Sequence, residues 1–236
     1  MRKDLYQELF EVENNHWWHN HKRKVIHQMI DKFAQRGMVL DIGAGTGKML
    51  SELKTKGWEV MGIDREQEAV KWSKKRGVKV KLTDIEKKLP FKKNSFDLVL
   101  ALDVLEHLNK DGKSLQEIGR VLKSEGVAII TVPAYQWLFN YWDKMLGHRR
   151  RYSKSLLRKI IKIGKFKIEF LSYFSMFTLF PSILVRLVKK LFIKTETSDF
   201  QTIPLSLIST PVIKLLNKIE RLLLSCTSLP FGLSVI

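Results

Sequence analysis

The sequence predicts an α/β fold, a doubly wound and mostly parallel sheet with helices on both faces, and three observations carry that expectation. Short apolar runs at 38–42, 58–64, 78–84, 96–103, 126–134 and 166–174 alternate with amphipathic segments of helical spacing, the pattern that sets strands side by side with helices between them. A glycine-rich stretch, Gly43-Ala44-Gly45-Thr46-Gly47, joins the first run to the first of those helices. The chain has 236 residues, 44% of them hydrophobic, enough to bury the core of one large domain that carries an insertion.

Taken in order, residues 3–35 hold Leu5, Leu9 and Phe10, then Val25, Ile26, Met29, Ile30 and Phe33 at helical spacing, with Gly37 as a stop, so two helices precede the first strand. The N-terminus lacks the apolar stretch and small-residue cleavage site of a signal peptide, and the single cysteine, Cys226, has no partner for an internal disulfide. Both fit a cytoplasmic protein.

Residues 175–229 differ from the rest, being rich in Leu, Ile, Phe and Lys. Two helices are expected there, starting at Pro181 and Pro211, because the first turn of a helix needs no amide hydrogen. The run 170–185 has 16 residues without a charge, short of the roughly 18–20 that span a bilayer. From Pro181, Ile183, Leu184, Leu187, Val188 and Leu191 share one face, and Arg186, Lys189, Lys190 and Lys194 another. In the second segment Val212, Leu215, Leu216, Ile219, Leu222 and Leu223 oppose Lys214, Lys218, Glu220 and Arg221. Each reads as a basic amphipathic helix that either packs its apolar face inward, as a lid on the sheet, or meets a membrane surface. Residues 231–236 read as a last short strand. The expected division is 1–37 (N-terminal helices), 38–174 plus 230–236 (core) and 175–229 (helical insertion).

Lys and Arg number 42 against 24 Asp and Glu, a formal charge of +18. That attracts an anionic partner: nucleic acid, an acidic membrane surface or a phosphorylated substrate. Fourteen Lys or Arg against two acids fall between Asp143 and Lys194, so the partner-facing side is expected there.

The glycine stretch admits three ligands. A P-loop would need glycine at Ile42 and a hydroxyl at Met49, and a dinucleotide fingerprint would need its third glycine where Lys48 stands. Asp41, two residues before Gly43-Ala44-Gly45-Thr46-Gly47, instead suits a cation, and S-adenosylmethionine carries a sulfonium and an ammonium but no phosphate. Asp64, ending the second run about 20 residues after the glycines, is placed to accept from ribose hydroxyls. Asp84 and Ile85, after the third run, add a carboxylate and an apolar contact for adenine. The three acids together favour the methyl donor.

The strings VLDIGAGTGKML, GID and TDIEKKLPFKKNSFDLVLALDVLEHL resemble the type 11 methyltransferase domain family of class I S-adenosylmethionine-dependent methyltransferases, relatives of the ubiquinone and menaquinone methyltransferases. The resemblance covers about residues 38–133 and implies a seven-stranded Rossmann-like sheet. It places Asp41, Gly43, Ala44, Gly45 and Gly47 around the methionine part of the cofactor, Asp64 and Arg65 beside the ribose, and Asp84 and Ile85 at the adenine. Leu102 and Asp103 fall where donor meets acceptor. His16-Trp17-Trp18, His148-Arg149-Arg150-Arg151-Tyr152 and the 229–234 segment are similar to those of a bacterial and archaeal subgroup. The family's final strand runs beyond the position of Ile236, which implies a truncation there.

Methyl transfer to a hydroxyl gains from a proton acceptor, and His148 and His107 are the candidates; His107 has a structural role as its alternative. Arg149, Arg150 and Arg151 are either a solvated run or, with Tyr152 and Tyr135, part of the acceptor-binding loops that this fold keeps at the carboxyl ends of its strands. Trp17 and Trp18 either cover the cofactor, where a ring face attracts a sulfonium, or pack in the core. No metal is expected, because His16, His19 and His21 lack supporting Cys or acidic ligands at a recurring spacing. The expected acceptor is a small or lipid-linked molecule, with a peripheral contact to an anionic membrane. A nucleic-acid methyltransferase and a non-catalytic cofactor-binding protein stand as alternatives; against the first, Leu102-Asp103-Val104-Leu105 lacks the Asn/Asp-Pro-Pro-aromatic motif of amino-group methylators.

Overall fold

The computed structural model describes residues 3–192 and 210–236. Helices α1 (Lys3–Val12) and α2 (Trp17–Phe33) precede β1 (Met38–Ile42), α3 (Lys48–Thr55), β2 (Glu59–Asp64), α4 (Gln67–Lys75), β3 (Val80–Leu82) and β4 (Phe96–Leu102). A 3-10 turn at Leu105–His107 leads to α5 (Asp111–Val121), β5 (Leu122–Pro133), α6 (Tyr141–Leu146), α7 (Lys154–Ile163) and β6 (Tyr173–Phe174). Helices α8 (Met176–Phe192) and α9 (Thr210–Cys226) precede β7 (Ser234–Val235).

The strands form one sheet of order β3-β2-β1-β4-β5-β7-β6. The first five are parallel and β7 is antiparallel to both neighbours. Alternating side chains of β1 and β4 serve opposite faces. Leu40 and Val99 meet Leu115 and Ile118 of α5 and Leu157 and Ile160 of α7. Val39, Leu98 and Leu100 meet Val25, Ile26 and Met29 of α2 and Leu50 and Leu53 of α3. The strand order reverses between β1 and β4, so their carboxyl ends diverge and open a crevice.

The C-terminal third departs from expectation in three ways. The strand read at 166–174 shrinks to Tyr173–Phe174, because its partner β7 offers only Ser234 and Val235. Helix α8 starts at Met176 and carries Pro181 inside it. The Glu220 carboxylate of α9 accepts from the amides of Ser175 and Met176, the latter at 2.8 Å, and thereby caps α8 one turn ahead of the proline. Helix α9 buries Glu220, expected on its polar side, together with Ile213, Asn217 and Leu224, and exposes Val212, Leu215, Ile219, Leu222 and Leu223, the second of the two arrangements expected for its apolar face. The expected basic face of Arg186, Lys189, Lys190 and Lys194 and the apolar face of Leu187, Val188 and Leu191 fall on side chains outside the described residues.

Candidate active site

A cavity of about 370 Å³ lies in the crevice at the carboxyl ends of β1, β2 and β4. The glycine loop forms its floor. Gly43 and Gly45 both line it and both have positive φ, 69° and 55°. A Cβ on Gly43 would sit 2.7 Å from Val104, whereas one on Gly45 would meet nothing closer than 4.0 Å. Gly43 therefore permits close packing, and Gly45 leaves its backbone open to a ligand. Gly47 and Ala44 do not line the cavity. Added bulk at Gly47 would strike Ser73 and Val78, so this glycine seats the loop on α4.

In the lining, Asp64 accepts from the Gly45 amide at 3.0 Å and the Glu66 amide at 2.9 Å. A carboxylate oxygen has two acceptor sites, so each keeps one for a ribose hydroxyl. Burial raises the Asp64 pKa against those two amides. Asp41 lies behind the loop, 3% exposed, and burial followed by the charge of Asp64 pushes its pKa up to about 8. It is outside the cavity lining and next to the loop it was expected to serve. Asp84, Ile85 and Arg65 line the cavity beside Asp64.

Asp103, His107 and His148 line the cavity as well. Asp103 has φ 56° and accepts from Thr131 Oγ1 at 2.9 Å and from Lys22 of α2. Burial opposes ionisation, but the Lys22 ammonium prevails and holds the Asp103 pKa below the usual range. The His148 Nδ1 lies 2.8 Å from Asp143, whose carboxylate also takes two bonds of 2.9 Å from Arg151. Against its burial, these partners hold Asp143 down to about 2. His107 contacts the Gly147 carbonyl through Nδ1 at 3.2 Å, and burial followed by His148 pushes its pKa down to about 4. Glu106 is fully buried between them.

The N-terminal helices roof the cavity with Tyr6, Leu9, Trp18, His19 and Lys22. Burial and Asp64 raise the Tyr6 pKa, and burial followed by His16 pushes His19 down to about 3. Trp18 lines the cavity and Trp17 does not. His21 is neither solvated nor a ligand to a histidine cluster; it is buried against Glu220 at 3.0 Å.

The residues expected to grip the acceptor are engaged elsewhere. Tyr152 is fully buried, donating to the Leu105 carbonyl at 3.0 Å and to Asp111 at 3.1 Å. Arg150 pairs with Asp111 at 3.2 Å, Arg151 with Asp143, and Arg149 donates to the His107 carbonyl at 3.1 Å. Tyr135 stacks on Tyr173 at 5.3 Å, and Leu102 packs in the core. The His148–Tyr152 segment thus backs the turn at Leu105–His107. Sequence reasoning missed Lys22, Glu106, Asp143 and Tyr6. Only Asp143 had a local signal, the Asn140-x-x-Asp143 capping box of α6.

Residues 40–130 match a methyltransferase domain family. An uncharacterized protein of Methanocaldococcus jannaschii is 29% identical over 71% of this chain and 68% of its own length. A ubiquinone biosynthesis O-methyltransferase of Bradyrhizobium diazoefficiens is 31% identical over 42% of this chain and 41% of its length. The chain thus spans less than half of that enzyme. A SAM-dependent methyltransferase from Archaeoglobus fulgidus superposes with TM-score 0.64 at 19% identity, covering 98% of this chain and 97% of that one. Sheet order, crevice and sequence match agree: residues 40–130 carry a methyltransferase domain, a relative in Mycolicibacterium smegmatis, 25% identical over 67% of this chain, is a probable S-adenosylmethionine-dependent methyltransferase, and the superposed structure shares the fold.

Proposed function

We propose that the protein transfers the methyl group of S-adenosylmethionine to a small or lipid-linked acceptor. One observation supports this above the others: Asp64 and Asp84 line the same cavity as Asp103, His107 and His148. Asp64 would hold the ribose, Asp84 and Ile85 the adenine, and Gly43, Gly45 and Asp103 the methionine part. The cofactor supplies an electrophilic methyl on a sulfonium. Transfer is an in-line displacement, in which an acceptor lone pair forms the new bond to carbon as the thioether leaves, so alignment supplies most of the rate. The His107–His148 pair is where an acceptor hydroxyl would lose its proton.

Calorimetric titration with S-adenosylmethionine tests the donor half. We expect micromolar binding by the native chain, weakened by about 10–100-fold in Asp64→Ala, the loss of one or two bonds to a charged acceptor. The acceptor half is tested by offering labelled methyl donor with cellular lipid extract, small-molecule extract and RNA. Label in the first two supports the reading, label in RNA replaces it with a nucleic-acid acceptor, and binding without any transfer leaves a non-catalytic binder.

A contact with an anionic membrane is supported by a separate observation. The outer face of α9 exposes Leu215 at 58% and Leu222 at 60%, and Lys214 and Lys218 of the same helix are exposed too. Apolar groups flanked by lysines suit the headgroup boundary. Among the described residues no helix is long and apolar enough to cross a membrane. Sedimentation with anionic but not neutral vesicles, reversed by salt, is the expected result.

A further inference from the structure

We propose that Glu106, His107 and His148 form a binding site for a divalent transition-metal ion beside the cavity, which His107 and His148 line. Among the described residues these are the one group of three acid or imidazole ligands whose atoms lie within 4.8 Å of one another. Its geometry goes beyond proximity in three respects.

Both imidazoles are already oriented. His148 Nδ1 is held by the Asp143 carboxylate at 2.8 Å and His107 Nδ1 by the Gly147 carbonyl at 3.2 Å. Acceptors at both Nδ1 positions place the protons there and leave each Nε2 with a free lone pair, the arrangement by which carboxylates and carbonyls support metal-bound histidines.

The third group lacks anything else to bind. Glu106 is 0% exposed, and neither of its carboxylate oxygens has a hydrogen-bond partner among the described residues. Its Oε1 lies 4.0 Å from His148 Nε2, too far for a hydrogen bond yet within reach of two coordinate bonds of about 2.0–2.2 Å each through one ion. A buried carboxylate with no donor is costly, and a cation would remove that cost.

The frame is fixed from behind. The Glu106 carbonyl accepts from the Arg149 amide at 2.7 Å, the His107 carbonyl from the Arg149 side chain, and the Leu105 carbonyl from Tyr152. The ligand-bearing turn is therefore pinned to the segment that carries His148.

Two imidazole nitrogens and one carboxylate select manganese, iron, cobalt or zinc over calcium or magnesium, and the absence of thiolates disfavours cuprous ion. Resting on the methyl-transfer reading, the ion would coordinate and acidify an acceptor hydroxyl. The proton passes to solvent, the oxygen lone pair forms the bond to carbon, and the sulfur keeps the electrons of the broken bond.

The probe is cobalt(II), titrated into the chelator-treated full chain and followed by its visible ligand-field bands. One equivalent should bind the native chain. Asp143→Asn should bind about 10–100-fold more weakly, as for loss of a supporting carboxylate, Glu106→Gln more weakly still, and His16→Ala like the native chain. Each variant is also titrated with S-adenosylmethionine to show that it folds. No saturable uptake by the native chain overturns the proposal, and so does uptake that survives in folded Glu106→Gln. Metal-free chain that binds the methyl donor without binding cobalt would sink the metal site alone and leave the methyltransferase reading standing.

Discussion

Strand β4 and helix α9 are both rich in leucine, yet they use it in opposite ways. In β4 Leu98 and Leu100 are fully buried against α2 and α3. In α9 the larger apolar face looks outward, and the helix is attached through Glu220, which takes His21 and two amides, with Asn217, Ile213 and Leu224 beside it. Amphipathic spacing shows that a helix has two faces; it does not show which one the core receives. A buried carboxylate with three donors can outweigh five exposed apolar residues, because leaving those donors unmatched costs more than leaving a leucine wet.

Four substitutions would break or sharpen that contrast. Leu100→Ala should cost the most, about 2–5 kcal/mol of unfolding free energy in urea titration, since it empties a filled core position. Glu220→Ala should come next at about 1–3 kcal/mol, by stranding the amides of Ser175 and Met176 and the ring of His21; a neutral result would mean that α9 is held by its apolar contacts after all. Asp41→Asn probes a buried carboxylate with a like charge nearby. Its folded pKa of about 8 lies above the ordinary 3.8, so the folded chain binds the extra proton and loses stability as pH rises from about 4 to 8. The amide should flatten that slope and gain about 1–2 kcal/mol over the native chain at pH 8 but not at pH 4. Leu222→Ser should change stability by no more than about 0.5 kcal/mol while reducing sedimentation with anionic vesicles; a large loss of stability would show that this face is covered in solution.

The parallel sheet and the part of the cavity lining contributed by Gly43, Gly45 and Asp64 were legible because their signals are local. β1, β2 and β4 carry their own apolar runs, and Gly43, Gly45 and Asp64 occupy fixed offsets along a strand-turn-helix unit. The rest of the cavity lining was only half legible. His107 and His148 could be singled out, but Lys22, 81 residues from Asp103, and His21, 199 residues from Glu220, are joined only by folding. Arg150 and Tyr152 were misplaced because their partner, Asp111, carries no pattern that announces it. The strand at 166–174 was overdrawn because strand length is set by the neighbour and not by the run itself.

The roof over the cavity has a kinetic meaning. Glu13, just past α1, accepts from Thr46 of the glycine loop at 2.7 Å and from Arg76 beyond α4, so one carboxylate rivets the first helix to the floor beneath it. A spent cofactor leaving past that rivet would depart only as fast as the rivet opens. Were that opening slower than bond-making, it would appear as a burst of product in the first cycle followed by a lower steady rate.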